Sequence, residues 1–438
     1  MITTASHAVP TYATLDDWIA SEAIPFAVDS PAIFNAAVDQ LVASLGDSVD
    51  LLGLGEPMHG AEDFLTFRNR LFQRLVEAHG FSVIAIESSF PRGRLVNEYV
   101  AGRGGTSYDA IAETGFSHGF GRMNTTRELV EWMRAYNADP AHRVKLQFYG
   151  SDSPTEMMWT DSPRQLLEFV LDYLSSIDRD SAQVHRDRIE PLLGDDAAWE
   201  TQAAAMDPSK SIGLSPVATS LRIAVDGLST ELLIRRPELV AASDAERYAE
   251  AAHYASAARQ LLVYHAAIAG SSNNRLAECL GIRDAMMADN LAYIVSRERA
   301  RASIGSAPAG KVLAFAHNSH LKCGQAQWQL GPQLLAWWPA GSHLQQMLGP
   351  RYAVIGMGVG NSEANGLSDP DSGTLENYLS NATGSAYFIP THLGQGLPTL
   401  AIAALPTRSG STKNHGYFPF TPQSLTDFHW LAVLDSIA

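Results

Sequence analysis

Glu56 and His59 stand three residues apart, directly after the apolar run Leu51-Leu52-Gly53-Leu54-Gly55 and before an amphipathic stretch. A carboxylate that reaches an imidazole holds one tautomer and raises the basicity of the other nitrogen, which is what a general base needs. The E-x-x-H spacing is common by itself, so its meaning depends on what else the chain brings to that point. Three more apolar runs end in comparable groups. The run at 81–86 ends in Glu87, the one at 144–149 is followed by Asp152, and the one at 311–316 runs into His317 and His320. His317-x-x-His320 is also the spacing of a metal pair, and with Glu56, His59 and Glu87 it would make a mononuclear or dinuclear site. Alternatively, these histidines donate to a developing oxyanion or a leaving group. There is no helix-borne H-E-x-x-H.

Two further motifs fail on context. Gly53-Leu54-Gly55-Glu56-Pro57-Met58 is a near miss to G-x-G-x-x-G. Met58 replaces the third glycine, Pro57 removes a backbone donor, and Glu56 would face a pyrophosphate. No nicotinamide or flavin is expected, and no other cofactor or metal. Gly115-Phe116-Ser117-His118-Gly119 matches G-x-S-x-G, but a helical pattern precedes it where a nucleophile elbow needs a strand.

The elements that must position these groups follow from periodicity. Strands are predicted at about 50–54, 81–87, 144–149, 311–316, 352–358, 386–389, 400–405 and 429–434. Pro31 opens a helix over 31–45, and Thr14 is the N-cap of a short helix at 15–20 after a polar lead-in over 1–14. Phe64, Phe67, Leu71 and Leu75 lie on one face of a helix over 61–79. Continuous apolar strands separated by helices predict a mostly parallel sheet covered on both faces. In such a sheet, ligands bind outside the carboxyl ends of the strands, where Glu56, His59, Glu87, Asp152, His317 and His320 would meet. From about 155 to 305 the strand signal disappears and helical spacing dominates. This segment is expected to form one wall of the cleft within a single α/β domain spanning 1–438. Gly-, Ser- and Asn-rich stretches at 360–373 and 406–416 read as loops. Trp337-Trp338 before Pro339 would line a pocket for a bulky apolar ligand.

Composition bounds the rest. Of 438 residues, 46% are hydrophobic and 18% charged, and the net charge is −16 without a long acidic block. A nucleic-acid partner needs a basic stripe, and an acidic chain does not dock on anionic lipid, so neither is expected. No apolar run reaches the ~18–20 residues of a membrane span. The residues before Trp18 lack the basic and apolar regions of a signal peptide. Cys279 and Cys323 form no C-x-x-C pair, and free thiols in a cytoplasmic protein are expected. The oligomeric state stays open.

Several segments carry a resemblance in register. They are Gly53-Leu54-Gly55-Glu56-Pro57-Met58-His59-Gly60, then Phe64 with Arg68, Arg70, Leu71 and Phe72, then 84–91 (IAIESSFP) and 97–102 (NEYVAG). The segments 127–137 (RELVEWMRAYN), 148–152 (FYGSD), 316–320 (AHNSH) and 417–420 (YFPF) follow in the same order. Together they resemble the erythromycin esterase family over about 50–435. The resemblance implies hydrolytic opening of a macrolide lactone without a metal or a covalent serine. It implies that His59 matches the general base, Glu56 and Glu87 the active-site carboxylates, Arg68 the active-site arginine, and His317 and His320 the distal histidines. The substrate, and a role in resistance or in biosynthesis, stay open.

The expected chemistry is hydrolysis of a lactone or other hindered ester of a small molecule. His59 takes a proton from water, Glu56 fixes the imidazole, Glu87 holds the water, and Arg68 orients or balances the carboxylates. His317 or His320 stabilises the oxyanion or protonates the leaving alkoxide, while Asp152 and His118 lie on the substrate-binding side. The same base would also serve a lyase, cyclase or isomerase. A metal-dependent hydrolase and a non-enzymatic small-molecule binder are the remaining alternatives.

Overall fold

The computed structural model describes residues 9–105, 107–153, 155–156, 159–304, 310–381 and 386–438. The first eight residues of the expected lead-in lie outside them. Thr14 caps the first helix, its hydroxyl accepting from Asp17 N.

The central sheet has eight strands. They are β1 (Ile24–Pro25), β2 (Leu51–Glu56), β3 (Phe81–Ser89), β4 (Gln147–Asp152), β5 (Lys311–His317), β6 (Tyr352–Asn361), β7 (Ala386–Pro390) and β8 (Trp430–Ser436). Their spatial order is β1-β7-β8-β6-β2-β5-β3-β4. From β8 to β4 every pairing is parallel, and β7 alone runs against its neighbours. Successive side chains of a strand point to opposite faces, and the two cores follow that alternation. Leu51, Val83, Ala85, Val312 and Ala314 join one core, and Leu52, Leu54, Ile84, Ile86 and Phe315 join the other. Both faces are therefore apolar, as the unbroken runs required.

Four helices matter for the site: α1 (Glu62–His79), α2 (Phe90–Val100), α3 (Arg275–Ile304) and α4 (Leu375–Asn381). Phe64, Phe67, Leu71 and Leu75 of α1 are buried in the second core. Gly93 of α2 lies directly on β4, where an added Cβ would stand 2.3 Å from Gly150 N. The chain leaves the sheet at β4, its edge strand, and runs through helices that close the first core. It returns as β5, between β2 and β3. No helix among the described residues is long and apolar enough to cross a membrane.

Several elements differ from expectation, among them the unpredicted β1 and a short hairpin of Thr155–Glu156 and Trp159–Thr160 at the start of the helical segment. β4 begins at Gln147 and includes Gly150-Ser151-Asp152, because those residues pair with the end of β3. The segment expected as a strand at 400–405 is instead the helix Thr399–Ala403, with Leu400 91% exposed. Its alanines favour helix, and it has no sheet edge to pair with. A hairpin of Ala326–Leu330 and Gln333–Trp337 was not expected. Trp337 is buried there, while Trp338 is exposed, so the two tryptophans do not share a pocket.

Candidate active site

Glu56 is the last residue of β2 and is fully buried, in register with His317 of β5. The chain then turns through Pro57-Met58-His59-Gly60, and Gly60 takes a positive φ of 89° before α1 begins. This turn is not helical, yet it returns His59 to the strand end. Its Nδ1 stands 2.6 Å from Glu56 Oε1, and its Nε2 stands 3.6 Å from Glu87 Oε1. Gly55 lets Asn318 approach β2, since a Cβ there would meet Asn318 Oδ1 at 2.3 Å.

Glu87 is the hub. His317 N donates to its Oε2 at 2.7 Å, and Arg283 Nη2 donates to Oε1 at 2.9 Å. His320 Nε2 lies 3.3 Å from the same Oε1. Arg283 also spans Asp152, with Nε 3.0 Å from Oδ1 and Nη2 2.6 Å from Oδ2. His118 Nε2 lies 3.0 Å from Asp152 Oδ2, and its backbone φ of 54° is a left-handed conformation that a side chain rarely adopts. Asp284 completes the shell. It faces His320 Nδ1 at 2.7 Å and accepts from Ala340 N at 3.1 Å and from the Trp337 indole.

The structure thus brings together Glu56, His59, Glu87, His118, Asp152, His317 and His320 at one end of the parallel sheet. No hydrogen bond or ion pair among the described residues joins Arg68 to them, though its charge acts on Glu56 through space and favours the ionised carboxylate. Arg68 is buried on α1, its guanidinium bonded to Asn69 Oδ1 at 2.9 Å and stacked 4.9 Å over Phe315. The guanidinium that balances Glu87 and Asp152 is that of Arg283. Sequence reading missed Arg283 and Asp284, although a signal was present. They share α3 with the buried positions Met287, Asn290, Leu291 and Ile294, so charged residues fall on a buried stripe.

The electrostatics separate the histidines. Burial disfavours the His59 cation, but the charge of Glu87 and the bond to Glu56 outweigh it and raise its pKa to about 10. Burial opposes the His320 cation too, and Asp284 and Glu87 raise its pKa to about 10. His317 goes the other way: burial, with the charge of His59, lowers it to about 3. Ser319 N donates to its Nδ1 at 3.1 Å, so the proton sits on Nε2 and is shared between Pro57 O at 3.0 Å and Gly416 O at 3.1 Å. Burial acts to raise the Glu87 pKa, yet the charges on His320 and His59 hold that carboxyl well below its usual range. Burial raises Glu56, partly offset by His59.

Among the described residues, Glu87, His118 and Asp152 have ligand atoms within 4.8 Å of one another, close enough for one metal ion. Arg283 already lies on Glu87 Oε1 and Asp152 Oδ2, so a divalent ion would have to displace a buried guanidinium. The set shares only Glu87 with the Glu56, His59, Glu87, His317 and His320 set that spacing pointed to. Ser117, from the G-x-S-x-G match, sits in a loop after the helix Asp109–Ala112, and its hydroxyl accepts from Ser89 N at 2.9 Å.

A family model described as erythromycin esterase matches residues 76–431. The chain belongs to the erythromycin esterase family. With membership comes the class of activity, hydrolysis of esters in small molecules. The matched residues include Glu87, Asp152, Arg283, His317 and His320, while Glu56, His59 and Arg68 precede them. Erythromycin esterase type II of Escherichia coli is 23% identical over 347 residues, covering 78% of this chain and 76% of that protein. Among solved structures, a Bacillus cereus protein superposes with a TM-score of 0.73 at 17% identity, covering 96% of this chain and 97% of the other. A succinoglycan biosynthesis protein gives 0.67 at 18% identity, with 96% of each chain covered. A substituted form of the erythromycin esterase EreC in its open conformation gives 0.65 at 18% identity, covering 91% and 94%. At these identities the superpositions establish the shared fold.

Proposed function

We propose that this member of the erythromycin esterase family opens a lactone or other hindered ester of a macrolide or related natural product, using water activated by His59. The observation that carries the proposal is the bracketing of His59. One ring nitrogen is held by Glu56, the other points toward Glu87, and the side chain is 40% exposed beside buried partners.

With Glu56 and Glu87 ionised, His59 is a cation near neutral pH, so the active form is the fraction that has lost a proton. In that form Nδ1–H donates to Glu56 and the Nε2 lone pair accepts a proton from water. The water oxygen bonds to the ester carbonyl carbon, and the carbonyl becomes an oxyanion. His320, protonated against Asp284, offers Nε2–H to that charge by sharing it with Glu87 Oε1, 3.3 Å away. His317 is less suited, because its Nε2–H is committed to two carbonyls. Collapse of the intermediate breaks the acyl–oxygen bond, and the proton on His59 Nε2 passes to the alkoxide. The products are a carboxylic acid and an alcohol, with one water consumed. Arg283 keeps Glu87 and Asp152 ionised and fixed.

A groove of about 750 Å³ adjoins the site, lined by Ser319, Gln327, Trp328, Asn414 and Phe418 among others. That volume suits a sizeable ligand. Its lip is continuous with the catalytic turn, since Asn414 Nδ2 donates to His59 O at 3.0 Å and Phe418 N to Pro57 O at 2.9 Å. Its mixed aromatic and amide lining suits a neutral, oxygen-rich molecule.

The test is turnover of a panel of macrolide and smaller lactones in heavy-oxygen water, read by mass spectrometry. One heavy oxygen is expected in the product carboxylate, whereas turnover without incorporation would assign lyase or isomerase chemistry instead. His59→Ala should cost about 10²–10⁴ in rate, the usual worth of a positioned base. Below neutral pH, log kcat/KM should rise with a slope near one, because deprotonation of a group titrating at about 10 limits the active fraction.

A further inference from the structure

Residues 414–420 form a strap over the catalytic turn, held to it by two bonds and to His317 of β5 by a third. Asn414 Nδ2 donates to His59 O at 3.0 Å, Phe418 N donates to Pro57 O at 2.9 Å, and Gly416 O accepts from His317 Nε2 at 3.1 Å. The strap therefore fixes the peptide that carries His59 and takes a share of the His317 Nε2–H, whose tautomer Ser319 N and Pro57 O also hold. Its far end is seated on β6, where Phe420 covers Gly358 so closely that an added Cβ would stand 2.4 Å from the ring. Glu376 of α4 anchors that end. It is 2% exposed, and its Oε1 accepts from Phe420 N at 2.5 Å and from Tyr417 OH at 3.4 Å. Its Oε2 is buried with no partner.

The surroundings of Glu376 suit a neutral carboxyl. The strands beneath it present Gly358, Val359 and Val433, and its own helix presents Leu379 and Ser380. Two titratable groups face it, Tyr417 from the strap and Arg408 from the segment before it. Arg408 makes no ion pair with Glu376. Its Nη1 donates to Val359 O at 2.6 Å and to Tyr417 OH at 3.2 Å, and its Nη2 donates to Ser368 O at 2.5 Å.

We propose that Glu376 is a positioning residue, a latch that seats the strap when protonated and releases it on ionisation, thereby setting the geometry of His59 and His317. This deepens the hydrolase reading of the same site and rests on it only for the catalytic meaning. Burial raises the Glu376 pKa to about 7, against the amides of Glu376 and Phe420 and the charge of Arg408. The sign follows from that direction. An acid whose folded pKa is raised favours the seated state below its unfolded pKa, and that preference is lost as pH rises through the folded value. The latch thus opposes the gain in free His59 base above neutrality.

The test is histidine ¹⁵N NMR of the full chain, with the His317 signal assigned by its loss in His317→Asn. The wild type should show the neutral Nε2–H tautomer at about pH 6, and its Nε2 shift should move with a midpoint near neutrality as the Gly416 share of that bond is lost. Glu376→Gln, a mimic of the protonated acid, should keep the signature and abolish the change. Glu376→Ala, shown folded by circular dichroism, should show the released Nε2 shift at both ends. A wild-type His317 signal that does not respond between about pH 6 and 8 overturns the proposal, as does a Gln variant that titrates like wild type. If the Ala variant fails to fold, the wild-type and Gln titrations still decide it. None of these readouts needs a substrate, so a failed lactone panel would sink the hydrolase reading and leave the latch separately judged.

Discussion

Glu87 receives donors from His317, Arg283 and His320 and faces His59, so its charge is the reference for every other group in the site. Removing the guanidinium it shares with Asp152 should be severe. Arg283→Ala leaves the buried Asp152 without its main counter-charge and Glu87 with the two histidines alone, and a loss of about 3–5 kcal/mol in denaturant unfolding is expected. Arg283→Lys keeps the charge but cannot fork across both carboxylates, so it should recover only part of that stability. Glu56, His59, Glu87, His317 and His320 were legible in the sequence because each follows an apolar run, and parallel strands carry such ends to one place. Arg283 and Asp284 were not legible in that way, because they come from a helix whose docking against β4 no local pattern states. Arg68 has the residue type of a site arginine; the phase of α1 sets its guanidinium on Asn69 and Phe315, from where its charge acts on Glu56 without a direct bond.

At the scale of elements, the position of Asp152 depends on how closely α2 lies on β4. Gly93→Ala should force the two apart, costing about 1–3 kcal/mol as other overpacked cores do. Activity should fall with it, as Asp152 and Arg283 move together. The hairpin 326–337 contributes differently: Trp328 lines the groove, 6.3 Å from Phe418 between ring centres. Trp328→Ala should raise KM about tenfold with kcat little changed, the pattern of lost uniform binding. A lactone hydrolysed equally well by both proteins would show that the substrate does not reach the hairpin. The hairpin's alternation was present in Ala326-Gln327-Trp328-Gln329-Leu330, with Gly331-Pro332 as its turn. Its short length hid it among loop signals. The misread stretch at 400–405 is the converse case, since apolar content with a single β-branched residue, Ile402, does not distinguish a strand from a surface helix.

For the whole molecule, the buried histidines set the acid limit. His265 Nε2–H donates to Asp161 O at 3.0 Å inside the helical segment, and burial lowers its pKa to about 4. The unfolded chain therefore takes up that proton first. The stability this group contributes is present above its unfolded pKa and is lost as pH falls toward the folded value. A loss on the order of 3 kcal/mol is expected from His265 alone, at 1.36 kcal/mol per unit, and His265→Gln should flatten that part of the urea-midpoint profile. The route of the chain has a kinetic consequence as well. β2 is synthesised early, but both its partners, β5 and β6, come after the helical segment, and the His317 contact with Pro57 closes a loop of 260 residues. Until then β2 and β3 present two apolar edges with a gap one strand wide between them. Direct pairing of those edges would shut β5 out, so refolding should be slow and favour dilute conditions, and the catalytic turn should be among the last parts to become native.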